Sequence, residues 1–216
     1  MLTLHTYFRS SAAFRVRIAL NYKGIAWEPA VVWLLDSEQS GDAYRAVNPQ
    51  GLVPALVADG RALSQSMAII EYLDETHPEP SLLPGDPLDR ARIRALSQLI
   101  ACEIHPLNNL RVLKYLKHEL RQPQAAIDAW YRHWCEEGLA ACERQLGDGG
   151  SGRFCHGDAV SMADACLVPQ VFNAQRFKVD LSRYPLAMDI FARCMALPAF
   201  DAAQPSRQPD ARRAPS

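Results

Sequence analysis

The residues of this 216-residue chain best placed to do chemistry are Ser10 and Ser11, two adjacent hydroxyls at the junction between a short alternating segment and an apolar run. Leu2, Leu4 and Thr6 alternate with Thr3 and His5 in the manner of a half-buried strand, and the run from Phe14 to Leu20, closed by Gly24, reads as a helix. The serine pair therefore sits at a helix N-terminus. Unsatisfied amides and the positive end of the helix dipole favour an anion there, a thiolate in particular. Taken alone, the pair reads first as an ordinary N-cap, in which a serine oxygen accepts an amide of the first turn.

Two further patterns accompany it. Asn48-Pro49-Gln50-Gly51-Leu52-Val53-Pro54-Ala55-Leu56 reads as a loop entering a strand, with Pro54 at the entry, where a strand tolerates proline and where an X-Pro bond adopts cis at little cost. Gln65-Ser66 then opens a second apolar helix that runs through Ala68-Ile69-Ile70-Glu71-Tyr72-Leu73. Two helix N-termini with polar side chains, with the Val53-Pro54 turn between them in sequence, suit a peptide-like ligand that carries carboxylates and a thiol.

The elements that must position these residues follow from periodicity and breakers. Strands are expected at about 1–7, 27–34, 54–58 and 61–64, alternating with the helices that open near Ser11 and Ser66, a mixed α/β pattern. His77 to Pro87 holds four prolines and a glycine within eleven residues and cannot continue a helix, so it reads as a linker. Helices are expected beyond it over about 88–118, 124–146, 161–177 and 183–196. The expected organisation is an α/β domain over 1–79, a linker over 80–87, an all-helical domain over 88–200, and a poorly ordered tail over 201–216. Pro205, Pro209 and Pro215 stand among Ala, Gln and Arg in that tail. Ser161 with Asp164 three residues on forms a capping-box start. Pro106 interrupts the helix from residue 88, and a kink or break is expected there, since an interior proline costs about 3 kcal/mol.

Composition narrows the function classes. At 49% hydrophobic the chain can bury one substantial core or two smaller ones. Net charge is −1 with Lys and Arg dispersed, so no electrostatic footprint for nucleic acid or anionic lipid is present. No secretory leader and no apolar run of about 20 residues is found, and a cytoplasmic location is expected. Six cysteines without a CxxC spacing read as buried reduced thiols, and no His/Cys spacing resembles a metal site.

Several strings together resemble the zeta class of the glutathione transferases, the class that includes maleylacetoacetate and maleylpyruvate isomerases. They are Ser10-Ser11 with Arg15-Val16-Arg17-Ile18-Ala19-Leu20, Asn48-Pro49 with Val53-Pro54, Gln65-Ser66 with its helix, Gly157-Asp158 to Asp164, Leu167 to Val171, and Asn173 to Asp180. The resemblance runs from about residue 5 to residue 200. It implies a thioredoxin-like N-terminal domain followed by a C-terminal helical bundle, a homodimer, and glutathione as cofactor. It assigns catalysis to Ser10, Ser11 and Arg9, and glutathione binding to Ser10, Ser11, Val53, Gln65, Ser66 and Asn108. Ser10 is the first candidate, and Ser11 the second, to hold the thiolate.

By spacing alone, His105, Asn108, Arg111 and Tyr115 form a solvated polar face on the helix that contains Pro106. With the resemblance, that helix lines the substrate side. The substrate would be a small anionic keto acid, whose carboxylate a guanidinium fork matches in two-point geometry, so Arg9, Arg111 and Arg176, with His105, are expected to bind it. The implied reaction is addition of the glutathione thiolate to a cis double bond, rotation, and expulsion of the thiolate to leave the trans isomer. A conventional glutathione transferase, one acting on α-haloacids, and a non-enzymatic interaction protein with the same fold remain alternatives. One departure bears on mechanism: the family's Ser-Ser-Cys-Ser-Trp reads Ser10-Ser11-Ala12-Ala13-Phe14 here, so the turn carries no protein thiol.

Overall fold

The structure, a computed structural model, describes residues 1–213. It divides into two compact units: Met1–Leu82 joined by the chain from Met195 onward, and Leu83–Cys194.

In the first unit, β1 (Leu2–Thr6) lies inside a four-stranded sheet of order β2-β1-β3-β4. Its alternation buries Leu4 and Thr6, as the sequence pattern requires. α1 (Ser11–Tyr22) crosses over to β2 (Trp27–Val31), which pairs parallel with β1. The connection onward carries the single-turn α2 (Asp42–Arg45). β3 (Ala55–Ala58) and β4 (Arg61–Ser64) then form an antiparallel hairpin. Asp59 and Gly60, both at positive φ (49° and 76°), make the two-residue turn whose twist matches that of the strands. α3 (Ser66–Thr76) completes the βαβ-ββα order of a thioredoxin-like domain.

Register decides which residues meet. His5 of β1 is opposite Ala55 of β3, and Ala55 is opposite Ser64 of β4. The exit of β1, the entry to β3 and the exit of β4 therefore share one end of the sheet. The Tyr7–Ser11 turn, Val53-Pro54 and Gln65-Ser66 all emerge there.

The second unit is helical: α4 (Pro87–Gln98), α5 (Leu110–His118), α6 (Gln124–Leu146), α7 (Met162–Arg176) and α8 (Pro185–Met195). Asp86 caps α4 reciprocally with Asp89, and Ser161 and Asp164 form the expected capping box on α7. The helix expected over 88–118 is broken near Pro106, as the proline implies, into α4 and α5. After Gln98 the chain widens into a π turn over Leu99–Ile104, in which the His105 amide reaches back five residues to the Ile100 carbonyl at 3.0 Å. Pro106 has no amide to donate, and Asn109 starts α5 afresh as its N-cap, its side chain accepting the Arg111 amide at 3.1 Å. Gly138 of α6 faces the wide turn so closely that a methyl group there would run into the Ile104 side chain.

The poorly ordered tail expected over 201–216 is also corrected. α9 (Pro198–Ala203) is followed by 3-10 turns at Pro205–Arg207 and Pro209–Arg213, and Phe200, Ala203, Gln208 and Asp210 are buried. Residues 214–216 of that expectation lie outside the described residues. The prolines here begin short helical turns rather than interrupt structure, since the missing amide of a first helical position has no intrahelical partner to lose.

Candidate active site

Ser10 is the N-cap of α1. Its Oγ accepts the Ala13 amide at 3.2 Å, and its carbonyl takes the first helical bond, from the Phe14 amide, at 2.8 Å. That bond polarises the hydroxyl and leaves its proton to donate outward, so one side chain both caps the helix and offers a hydrogen bond to an anion. Ser11, the first helical residue, is buried. Arg9 is exposed, with its guanidinium carbon 4.9 Å from the centre of the Phe8 ring.

The second helix N-terminus is built differently. Gln65 holds φ 69° and ψ 114°, a conformation rarely adopted by a residue with a side chain, and its side-chain Nε2 donates to Gln50 Oε1 at 2.9 Å. Strain of this kind, about 1–3 kcal/mol, persists where the surroundings fix it, and such residues gather at ligand sites. Ser66 is buried beside it, and its Oγ accepts from Arg15 Nη1 at 3.2 Å. α1 is thus tied to the start of α3 through one buried guanidinium. The loop to Val53 is fixed by the Leu52 carbonyl, which accepts from both Tyr44 Oη and Asn48 Nδ2 at 2.7 Å, and the Val53-Pro54 peptide is cis. Ser10, Ser11, Val53, Gln65 and Ser66 therefore gather at one sheet end, as the register demands.

In the second unit the expected face of His105, Asn108, Arg111 and Tyr115 does not form, because the helix breaks between them. Asn108, expected to bind glutathione, points inward instead: its Nδ2 donates to the Tyr131 carbonyl at 3.2 Å and lies 3.5 Å from Cys135 Sγ. It ties the turn to α6. Cys135 is buried there, which pushes its thiol up to about 12. His105 stands 3.4 Å from Asn109 across the break. Arg111, in the first turn of α5, and Arg176, at the end of α7 with its guanidinium 5.4 Å from the Phe177 ring centre, are both exposed. Among the described residues none of Arg9, Arg111 and Arg176 pairs with a carboxylate.

Two residues that shape the site escaped the sequence reading as functional. Arg15 and Arg17 lie fully inside the core, at positions where helical spacing calls for apolar side chains, and that mismatch was the available signal. Arg15 holds Ser66, and Arg17 holds the turn before Ser10 through the Thr6 hydroxyl and the Tyr7 and Phe8 carbonyls at 3.1–3.3 Å.

Residues 4–81 match the family description "Glutathione S-transferase, N-terminal domain", and residues 124–202 match "Glutathione S-transferase, C-terminal domain". The chain is 47% identical to a probable maleylacetoacetate isomerase of Vibrio cholerae, over 97% of this chain and 98% of that one. It is 46% identical to a maleylpyruvate isomerase of a Ralstonia species, over 97% and 99%. A solved holo structure of a maleylpyruvate isomerase, described as a bacterial zeta-class glutathione S-transferase, superposes with TM-score 0.94 at 46% identity over 96% of this chain and 99% of that one. A maleylacetoacetate isomerase from Methylobacterium extorquens, solved with malonate and glutathione, superposes equally well at 42% identity, over 99% of this chain and all of that one. The chain belongs to the glutathione S-transferase family, and within it to the zeta class.

Proposed function

We propose that the protein is a glutathione-dependent cis-trans isomerase that converts maleylacetoacetate to fumarylacetoacetate in the breakdown of aromatic amino acids or related aromatic compounds. The observation that carries this reading is Ser10, which caps α1 while offering its own proton, at the sheet end where Ser66 is fixed by Arg15. Glutathione suits that end. Gln65, Ser66 and the amides at the start of α3 would hold its carboxylates, and Val53 would accept its peptide backbone.

When bound, glutathione supplies a thiolate that adds to the cis double bond and departs once that bond has rotated, so it is regenerated. Ser10 and the α1 N-terminus hold the sulfur in its anionic form, because a charge-assisted hydrogen bond and the helix dipole both favour the deprotonated state. Ala12 leaves the turn without a competing protein thiol. Arg9, Arg111 and Arg176 bind the carboxylate and offset the negative charge that develops on the substrate carbonyl. Among the similar structures, one holds both malonate, a small dicarboxylate, and glutathione.

Relatives of both isomerase names match at 46–47% identity, so the substrate is tested directly. Rates on maleylacetoacetate and maleylpyruvate are measured side by side, with and without glutathione. The expected result is strong glutathione dependence with the higher kcat/KM on maleylacetoacetate. A higher value on maleylpyruvate moves the assignment to that substrate, and turnover without glutathione contradicts the proposal. We further propose a cytoplasmic homodimer. None of the six cysteines forms a disulfide, in keeping with a reducing compartment, and sedimentation velocity tests the dimer.

A further inference from the structure

The turn that carries Arg9 and Ser10 is gripped by a segment some 200 residues away. Asp210 Oδ2 accepts the Phe8 amide at 2.8 Å, while Arg17 Nη2 donates to the Phe8 carbonyl at 3.1 Å. Arg17 also spans Thr6 Oγ1 at 3.1 Å and the Tyr7 carbonyl at 3.3 Å, and its Nε donates to the Ala203 carbonyl of α9 at 2.9 Å. Both side chains are buried, Arg17 at 0% exposure and Asp210 at 3%. The tail is itself pinned: Gln208 Nε2 donates to the Ala202 and Gln204 carbonyls at 2.9 and 3.1 Å, and Ala211 packs against the cluster of Tyr7, Phe8 and Trp33.

We propose that Asp210 is a positioning residue for the active-site turn, with Arg17 as its counterpart, so that the C-terminal segment sets where Ser10 and Arg9 stand. This rests on the reading of Ser10 as the residue that holds the glutathione thiolate. Three consecutive residues, Thr6, Tyr7 and Phe8, have polar groups held by this pair. Ser10 follows directly, its own amide bonded to the Tyr7 carbonyl at 2.9 Å. Asp210 also stands against the charge of Arg17. Burial pushes that guanidinium down to about 9, and the carboxylate opposes the shift, so the arginine stays charged at neutral pH. Without Asp210 the Phe8 amide loses its acceptor and Arg17 is left as an uncompensated buried cation. The turn then has no fixed position, and a displacement of about 1 Å at a catalytic group can cost about a hundredfold in rate.

The test compares the wild type with Asp210→Ala and with the isosteric Asp210→Asn, which keeps an acceptor for the Phe8 amide. Two readouts are taken well below the melting temperature of each variant. The first is hydrogen exchange of the peptide covering residues 7–14 in the ligand-free protein. The second is the ultraviolet absorbance of glutathione bound as thiolate. Asp210→Ala is expected to speed exchange in that peptide about tenfold or more, with residues 83–194 unchanged. It should also lower the bound thiolate fraction and reduce kcat about a hundredfold, with KM for glutathione altered only a few-fold. Asp210→Asn should fall between. If Asp210→Ala does not fold, Asp210→Asn alone decides, through the same peptide. Wild-type exchange and an unchanged thiolate signal in the variant that folds would overturn the proposal. Failure of the wild type itself to hold glutathione as thiolate would instead overturn the reading of Ser10, and the exchange result would still decide the role of Asp210.

Discussion

Ser10 does two jobs with one oxygen, and they separate in experiment. As N-cap it satisfies the Ala13 amide, a bond whose loss to alanine typically costs about 1 kcal/mol of stability. As thiolate donor it belongs to the class of charge-assisted contacts whose removal costs about 10²–10³ in rate. Ser10→Ala is expected to show both effects, a modest fall in melting temperature and a large fall in kcat. Ser11→Ala, at a buried position outside the cap, should lose much less rate; equal losses from the two would mean that main-chain amides hold the sulfur. The arginines divide in the same way. Arg15 and Arg17 are buried and occupied by hydrogen bonds, whereas Arg9, Arg111 and Arg176 are exposed with no carboxylate partner among the described residues. Alanine at any of the exposed three should lower kcat/KM by roughly 2–5 kcal/mol on a substrate whose carboxylate is desolvated. Lysine should rescue poorly, and glutathione affinity should change little for Arg111 and Arg176. Wild-type activity in all three alanine variants would remove them from the substrate site.

Among the elements, the site depends most on α1 and α3, whose starts the sheet register brings together, and these were readable from the chain. Alternation marked β1, a hydroxyl before each apolar run marked the helix starts, and Asp59-Gly60 lies between the two expected strands that form the hairpin. The helix around Pro106 was half readable. A break was foreseen from the proline, but the π turn before it was not. It depends on a partner 34 residues away, Gly138, which lets α6 approach Ile104, and no local pattern encodes that approach. The same misreading placed Asn108 on a ligand-facing helix face, when its amide is used to hold Tyr131 and α6. Gly138→Ala tests this directly. In an unobstructed helix interior alanine would stabilise by about 1 kcal/mol. Here the β-branched Ile104 has little room to move, so we expect a net loss of about 1–3 kcal/mol in denaturant unfolding. A gain in stability would show that the wide turn does not press on α6.

At the scale of the whole molecule, the segment read as a loose tail is the piece the sequence concealed most completely. Its prolines and polar residues match the composition of disorder, while its folding depends on Asp210 finding the Phe8 amide, which lies far away in sequence. The cofactor assignment draws on the whole chain in another sense, because the protein's own thiols are kept out of the chemistry. Five of the six cysteines are buried, burial pushes Cys142 as well as Cys135 up to about 12, and the turn at Ser10 has none. Cys102 alone is exposed, so thiol titration of the native protein should count one slow background site per chain. That makes the central claim directly measurable. Total free thiol is titrated while the enzyme, with a fixed amount of glutathione, turns over a large excess of maleylacetoacetate. The glutathione thiol is expected to remain constant over hundreds of turnovers while the trans product accumulates. Loss of one thiol per product formed would contradict it and make the protein a conjugating transferase.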